Sequence, residues 1–216
     1  MKMTITALRV QRRNKRRVNV HLDGDYSFAL TDIEATRLRV GQELTAEEIA
    51  TLQGHDEAER AYERALNFLS YRPRSESEVR NKLRRKRVAA EAIDSVVGRL
   101  LRAGLLDDQE FARYWVDNRT QFRPRGARAL RHELRAKGVP STVIAEVLEG
   151  FDEEEAARKA ALAGARRMAH LEAEDFRKRL SAYLARRGFY YGVAKPLVQE
   201  MLEQKPDTQN ENESEG

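Results

Sequence analysis

Arg72-Pro73-Arg74-Ser75-Glu76-Ser77-Glu78-Val79 and Arg123-Pro124-Arg125-Gly126-Ala127-Arg128-Ala129-Leu130 begin at residues 72 and 123, a step of 51. The same step lays Leu83 on Leu134, Lys86 on Lys137, Val88 on Val139, Ile93 on Ile144 and Val97 on Leu148. A further step of 50, from 130 to 180, lays Leu130 on Leu180, Leu134 on Leu184, Gly138 on Gly188, Val139 on Phe189 and Leu148 on Val198, without a third Arg-Pro-Arg. Apolar matches alone arise easily between amphipathic helices. Joint matching of proline, basic residues and a glycine does not, so the pattern reads as a threefold repeat. Between 56 and 203 proline occurs only at 73, 124, 140 and 196, and Ile93, Val96, Val97 and Leu100 keep helical spacing. This half is therefore expected to be all-α, with about three short helices per unit and units spanning 56–107, 108–154 and 155–203. Units in series touch only their neighbours, which predicts an elongated, curved array.

Upstream the period changes to two. Val18, Val20 and Leu22 alternate with Asn19 and His21, and Tyr26, Phe28 and Leu30 with Ser27 and Ala29. Asp23-Gly24 between them is a type I′ hairpin signal, because both central residues of that turn need positive φ. Residues 4–11 add a third strand, giving a small three-stranded antiparallel segment. Thr31-Asp32-Ile33-Glu34 and Thr45-Ala46-Glu47-Glu48 match capping boxes, and Gly41 and Gly54 are expected helix stops. Residues 1–55 thus read as a strand-rich segment with two short helices, ahead of a mainly α chain. Residues 204–216, rich in Glu, Asn, Asp and Gln, are expected to form a disordered acidic tail.

The chain has 216 residues, 35% charged and 41% hydrophobic, with 40 Lys+Arg against 35 Asp+Glu. Its formal charge is +5; residues 205–216 hold one lysine against four acidic residues, so the remainder carries +8. Zero cysteines exclude a disulfide framework, a thiolate zinc site and a cysteine nucleophile. No run approaches a membrane span, and Arg12-Arg13-Asn14-Lys15-Arg16-Arg17 stands where a signal peptide would need its apolar core. A cytoplasmic monomer is expected, with no cofactor.

The sequence has no phosphate loop, dinucleotide fingerprint or nucleophile elbow. His132-Glu133 begins like a zincin helix, but Ala136 replaces the second histidine, and His21, His55 and His170 lack metal-ligand spacing. Asp107-Asp108 is the best carboxylate pair for a metal-dependent nuclease. Its position after Gly104-Leu105-Leu106 and before Phe111 reads more simply as a helix cap. No catalytic and no metal-binding residue is expected.

Basic residues carry the functional lead. Ser75 can cap a helix with Glu78 closing the box, so Arg72 and Arg74 should project from the bend before it, and Arg123 and Arg125 from the equivalent bend. Pairing with Glu76 and Glu78 inside the unit is the competing role for these arginines. Arg12, Arg13, Lys15, Arg16 and Arg17 form the densest cluster, between two strands, where an exposed tip suits nucleic acid or an acidic protein. Arg186 and Arg187 with Tyr190 interleave base and aromatic, a composition that can stack on bases, whereas Phe189 matches core positions. Trp115, beside Phe111 and Val116, reads as repeat core.

Taken together, Leu66-Asn67-Phe68-Leu69-Ser70-Tyr71-Arg72-Pro73-Arg74-Ser75-Glu76, Gly104-Leu105-Leu106-Asp107-Asp108 with Phe111-Ala112, and Glu133-Leu134-Arg135-Ala136-Lys137-Gly138-Val139 resemble the RecX family of bacterial RecA regulators. Arg187-Gly188-Phe189 fits the family's third repeat, and the strand-rich start resembles the extra amino-terminal part of its longer members. Arg87 departs from it, standing where the second and third repeats have Gly138 and Gly188, so the first repeat's turn is expected to differ. The resemblance implies tandem three-helix repeats that bind the RecA nucleoprotein filament and restrain its growth, ATP hydrolysis and strand exchange, with no enzyme activity of their own. A direct nucleic-acid-binding module using the hairpin and the repeat corners is the alternative.

Overall fold

A computed structural model describes residues 2–205; the tail expectation for 206–216 falls outside the described residues, and Gln204 is the C-cap of the last helix. The chain forms two compact units. One holds residues up to 74 with 78–106, the other 75–77 with those from 107 on.

The first unit opens with β1 (Lys2–Val10), β2 (Arg17–Leu22) and β3 (Asp25–Thr31), antiparallel as the alternation predicts. Asp23 and Gly24 both have positive φ, 50° and 98°, so the β2–β3 connection is the expected tight turn. It sets Val18 opposite Leu30 and Val20 opposite Phe28. A fourth strand, β4 (Glu43–Thr45), pairs with β1 and makes the order β3-β2-β1-β4, so the expected three strands are corrected to four. Three residues are too few for alternation to declare itself. Ile5, Val20, Leu22, Phe28, Leu30 and Leu44 turn inward, each of the larger ones worth about 1.5–3 kcal/mol on burial.

The first capping signal yields only α1 (Asp32–Ala35), where Thr31 Oγ1 accepts from Glu34 N at 3.3 Å. The second is a full capping box at Thr45 and Glu48. Thr45 N and Oγ1 both donate to the Glu48 carboxylate, which holds its pKa below the ordinary value. The helix it starts, α2 (Ala46–Leu69), runs straight through Gly54, overturning the expected stop there. Gly54 lacks the positive φ of a C-cap, and the loss of about 1 kcal/mol for a mid-helix glycine is offset by packing at both ends of α2. Ile49 and Leu52 cover the sheet's core; Ala61 and Ala65 join the next one. The boundary expected at 55/56 therefore falls inside one 24-residue helix.

The repeat is realised three times. In the first unit α2 packs with α3 (Glu76–Arg85) and α4 (Ala90–Arg102). In the second, α5 (Asp108–Phe122), α6 (Ala127–Ala136) and α7 (Ser141–Glu149) form one triplet. The next triplet is α8 (Glu153–Met168), α9 (Ala173–Arg186) and α10 (Tyr191–Glu203). Val79, Leu130 and Leu180 are fully buried, as are Leu83, Leu134 and Leu184. After the middle helix the chain turns identically each time. Val88, Val139 and Phe189 donate their N–H to Leu83, Leu134 and Leu184 carbonyls at 3.3, 3.1 and 3.3 Å. Arg87 does not change this turn, contrary to expectation: it takes φ 58° where Gly138 and Gly188 have 77° and 86°.

Candidate functional site

The expected contact residues divide into those folded into their own unit and those left outside it. At the first corner Arg72 donates from Nη1 and Nη2 to the Glu78 carboxylate at 3.1 and 2.9 Å, and from Nη1 to Pro73 O at 2.7 Å. Arg74 lies over the Phe68 ring, 4.0 Å from its centroid, with Lys82 approaching the same ring. Neither side chain projects as the bend alone suggested; both brace the α2–α3 connection. At the second corner Arg125 is half-buried with Nε 3.7 Å from Glu133, a carboxylate that also accepts from Arg119 and from Trp115 Nε1. Arg123, C-cap of α5, is exposed and makes no ion pair among the described residues.

Proline and glycine at these corners serve a joint that occurs twice within the second unit. Ser75 Oγ donates to Lys137 O at 2.6 Å, and at the equivalent place Gly126 N donates to Arg187 O at 3.0 Å. A Cβ on Gly138 would overlap the Ser77 side chain, and one on Gly188 would lie 2.5 Å from Ala129 Cβ. Arg187 adds a hydrogen bond to Pro124 O at 3.0 Å and stacks on Tyr183 at 4.5 Å, so it is a bracing residue. Its neighbour Arg186 is exposed, as is Tyr190 at 48%.

Sequence reasoning passed over the residues that lie immediately before each Arg-Pro-Arg. Tyr71 is 76% exposed and Phe122 is 67% exposed. They are 51 positions apart, residue 71 falling on residue 122 under the repeat step. Two large aromatic side chains are thus exposed at one repeated position. The step of 51 that aligns the two Arg-Pro-Arg motifs carries this signal too, since it aligns the two aromatics.

At the hairpin Arg12, Arg13, Lys15 and Arg16 are exposed in the β1–β2 connection. Arg17 is withdrawn from that cluster: its guanidinium pairs bidentately with Asp56 of α2, Nη2 to Oδ2 at 2.9 Å, and Nη2 also donates to Ala29 O. Asp56 is buried, so this ion pair ties the sheet to the long helix.

Asp107 and Asp108 act as caps. Asp107 Oδ1 accepts from Gln109 N and Glu110 N at 2.7 and 3.2 Å, and Asp108 Oδ1 accepts from Glu76 N at 2.8 Å. Burial pushes the Asp108 carboxyl above its ordinary pKa, partly opposed by that hydrogen bond. Among the described residues no group of three or more His, Cys, Asp or Glu could hold a metal, and no helix is long and apolar enough to cross a membrane.

These elements define a protein of tandem three-helix units preceded in sequence by a small antiparallel sheet. Three family models match it: Regulatory protein RecX N-terminal domain over residues 3–45, RecX first three-helix domain over 61–100, and RecX second three-helix domain over 107–148. Regulatory protein RecX of Bacillus licheniformis is 34% identical, over 91% of this chain and 76% of its own length. That of Bacillus subtilis is 33% identical over 96% and 81%. A crystal structure of regulatory protein RecX, 28% identical, aligns with a TM-score of 0.71 over 91% of this chain and 99% of its own. RecX from Lactobacillus salivarius, 24% identical, shares the fold with a TM-score of 0.60 over 68% and 97%. The chain belongs to the RecX family of regulatory proteins.

Proposed function

We propose that this chain is a cytoplasmic regulator that binds the RecA nucleoprotein filament and restrains its extension, ATP hydrolysis and strand exchange, and so modulates recombination and DNA repair. It acts by occupancy, with no chemical step and no cofactor of its own. The functional partition follows the repeat: a strand-rich part to about residue 55, three units to 203, then the acidic tail. Membership of a family of regulators supports the reading, and the observation that carries it is the recurrence of an exposed aromatic, Tyr71 and Phe122, at one repeat step. A partner that is itself periodic can meet such contacts more than once, and linked contacts raise avidity beyond either alone.

Within this reading Tyr71 and Phe122 are the anchors, and Arg123, Arg186, Tyr190 and the Arg12, Arg13, Lys15, Arg16 tip are the polar contacts. Arg72, Arg74, Arg125, Arg187 and Arg17 hold the shapes that present them. Tyr71→Ala and Phe122→Ala are each expected to weaken co-sedimentation with RecA filaments by roughly 5- to 30-fold, the effect of about 1–2 kcal/mol for an anchor residue, and together by more. Melting temperatures should stay unchanged, since neither ring is in a core. Wild-type binding by the double variant would remove the anchors from the interface.

Direct nucleic-acid binding is a second reading, favoured by the four exposed cations of the hairpin tip. It predicts binding to free single strands whose affinity falls steeply with salt and whose salt slope shrinks on Arg12→Ala and Arg13→Ala.

A further inference from the structure

In the third triplet a groove of about 1020 Å³ opens between α9 and the start of α10. Its floor is apolar, formed by Ala185, Phe189, Ala194 and Val198. Its rim carries Arg177 and Lys178 from α9, Lys195 from α10 and Arg128 from α6, and no carboxylate lines it. In a chain with 35 acidic residues that is a segregation of charge. The contrast lies along the same helix: a second hollow of about 320 Å³, also touching Pro196 of α10, is lined by Asp152, Glu154, Glu155 and Glu200 with Arg158. There Glu200 accepts from Arg158 at 2.5 Å, whereas Arg177 and Lys195 make no ion pair among the described residues. Lys178 has only the exposed Glu174, four residues away on its own helix.

We infer that this groove binds an acidic peptide segment of a protein partner, one that inserts a bulky apolar side chain between carboxylates. An apolar floor with a few placed charges is the usual make-up of a ligand site, and charge complementarity here selects an anionic ligand. Peptide is favoured over a nucleic acid strand by the floor of the groove. The exposed rings, Tyr190 and Tyr191, stand beside that floor, which is itself aliphatic apart from the buried Phe189 and presents no row of ring faces on which successive bases would stack. A leucine or phenylalanine fits the floor, and acidic neighbours on either side reach the cationic rim.

The inference is independent of the RecA reading, because its probe is a peptide. Fluorescence anisotropy would follow a short fluorescein-labelled peptide in which Glu-Asp pairs alternate with Leu, titrated with the intact chain. Arg177→Glu with Lys195→Glu should weaken binding by roughly tenfold or more, whereas Arg166→Glu with Arg167→Glu, the same charge change on exposed α8 positions, should leave it nearly unchanged. The peptide with Leu replaced by Ala should also bind roughly tenfold more weakly, since the apolar floor loses its occupant. Equal loss from both pairs of reversals, or indifference to the leucines, would overturn the proposal. So would an oligothymidylate of matched charge that binds the groove as tightly as the peptide and loses affinity on the Arg177 and Lys195 reversals.

Discussion

Gly188→Ala is expected to destabilise the second unit by roughly 2–5 kcal/mol, because two penalties coincide. The residue sits at φ 86°, where a Cβ costs about 1–2 kcal/mol. The added methyl would also lie 2.5 Å from Ala129 Cβ and 2.7 Å from Ala129 N, and overpacking adds about 1–3 kcal/mol. The neighbour cannot give way cheaply, since the contact is with backbone at the start of α6. Arg87→Gly is the matched control. It relieves the same backbone strain where the side chain is exposed, so it should be neutral or stabilising by up to about 1 kcal/mol. Urea melts of the two variants beside the parent check this; a Gly188→Ala loss below about 1 kcal/mol would mean the joint yields more than close packing allows.

Asp56→Ala should cost about 3–5 kcal/mol, as expected when one partner of a buried ion pair is removed and the other is left without a counter-charge. Arg17 is held at the junction of β2, β3 and α2, where its side chain is largely buried and also donates to Ala29 O. Replacing both charges, Arg17→Met with Asp56→Leu, should restore most of the loss, because apolar pairs of similar volume are often neutral or better in such sites. Thermal melts of the two singles and the double give the coupling energy. Singles that melt like the parent would show that the pair is solvated and that packing alone joins the sheet to α2.

The core was legible and the orientation of charge was not, for reasons visible at particular residues. Val79, Leu83 and Val88 recur as Leu130, Leu134 and Val139 and as Leu180, Leu184 and Phe189, and every one is buried. Three copies of one packing problem make the pattern redundant, so noise in any single copy is averaged out. β4 offers no such redundancy, and the local preference of Gly54 for a helix stop is overridden by packing at both ends of α2. Charge is harder still. Nothing local tells which cation in Arg12 to Arg17 meets a carboxylate 39 residues on, and Arg17 does. Arg72 and Arg123 share a motif, yet Arg72 meets Glu78, whereas the residue equivalent to Glu78 is Ala129, and Arg123 stays exposed. Substituting one partner between repeats thus changes a brace into an open contact without altering the fold.

The proposed action of this chain on the RecA filament is tested by the rate of DNA-dependent ATP hydrolysis by its cognate RecA. Single-stranded DNA is kept in excess, so that competition for DNA cannot mimic an effect on the filament. Substoichiometric amounts of the chain should slow hydrolysis, because one bound molecule meeting several protomers restrains more than its own mass of filament. Tyr71→Ala with Phe122→Ala should shift the titration to higher concentration while the variant remains folded. A rate unchanged by folded protein up to equimolar with RecA would contradict the claim.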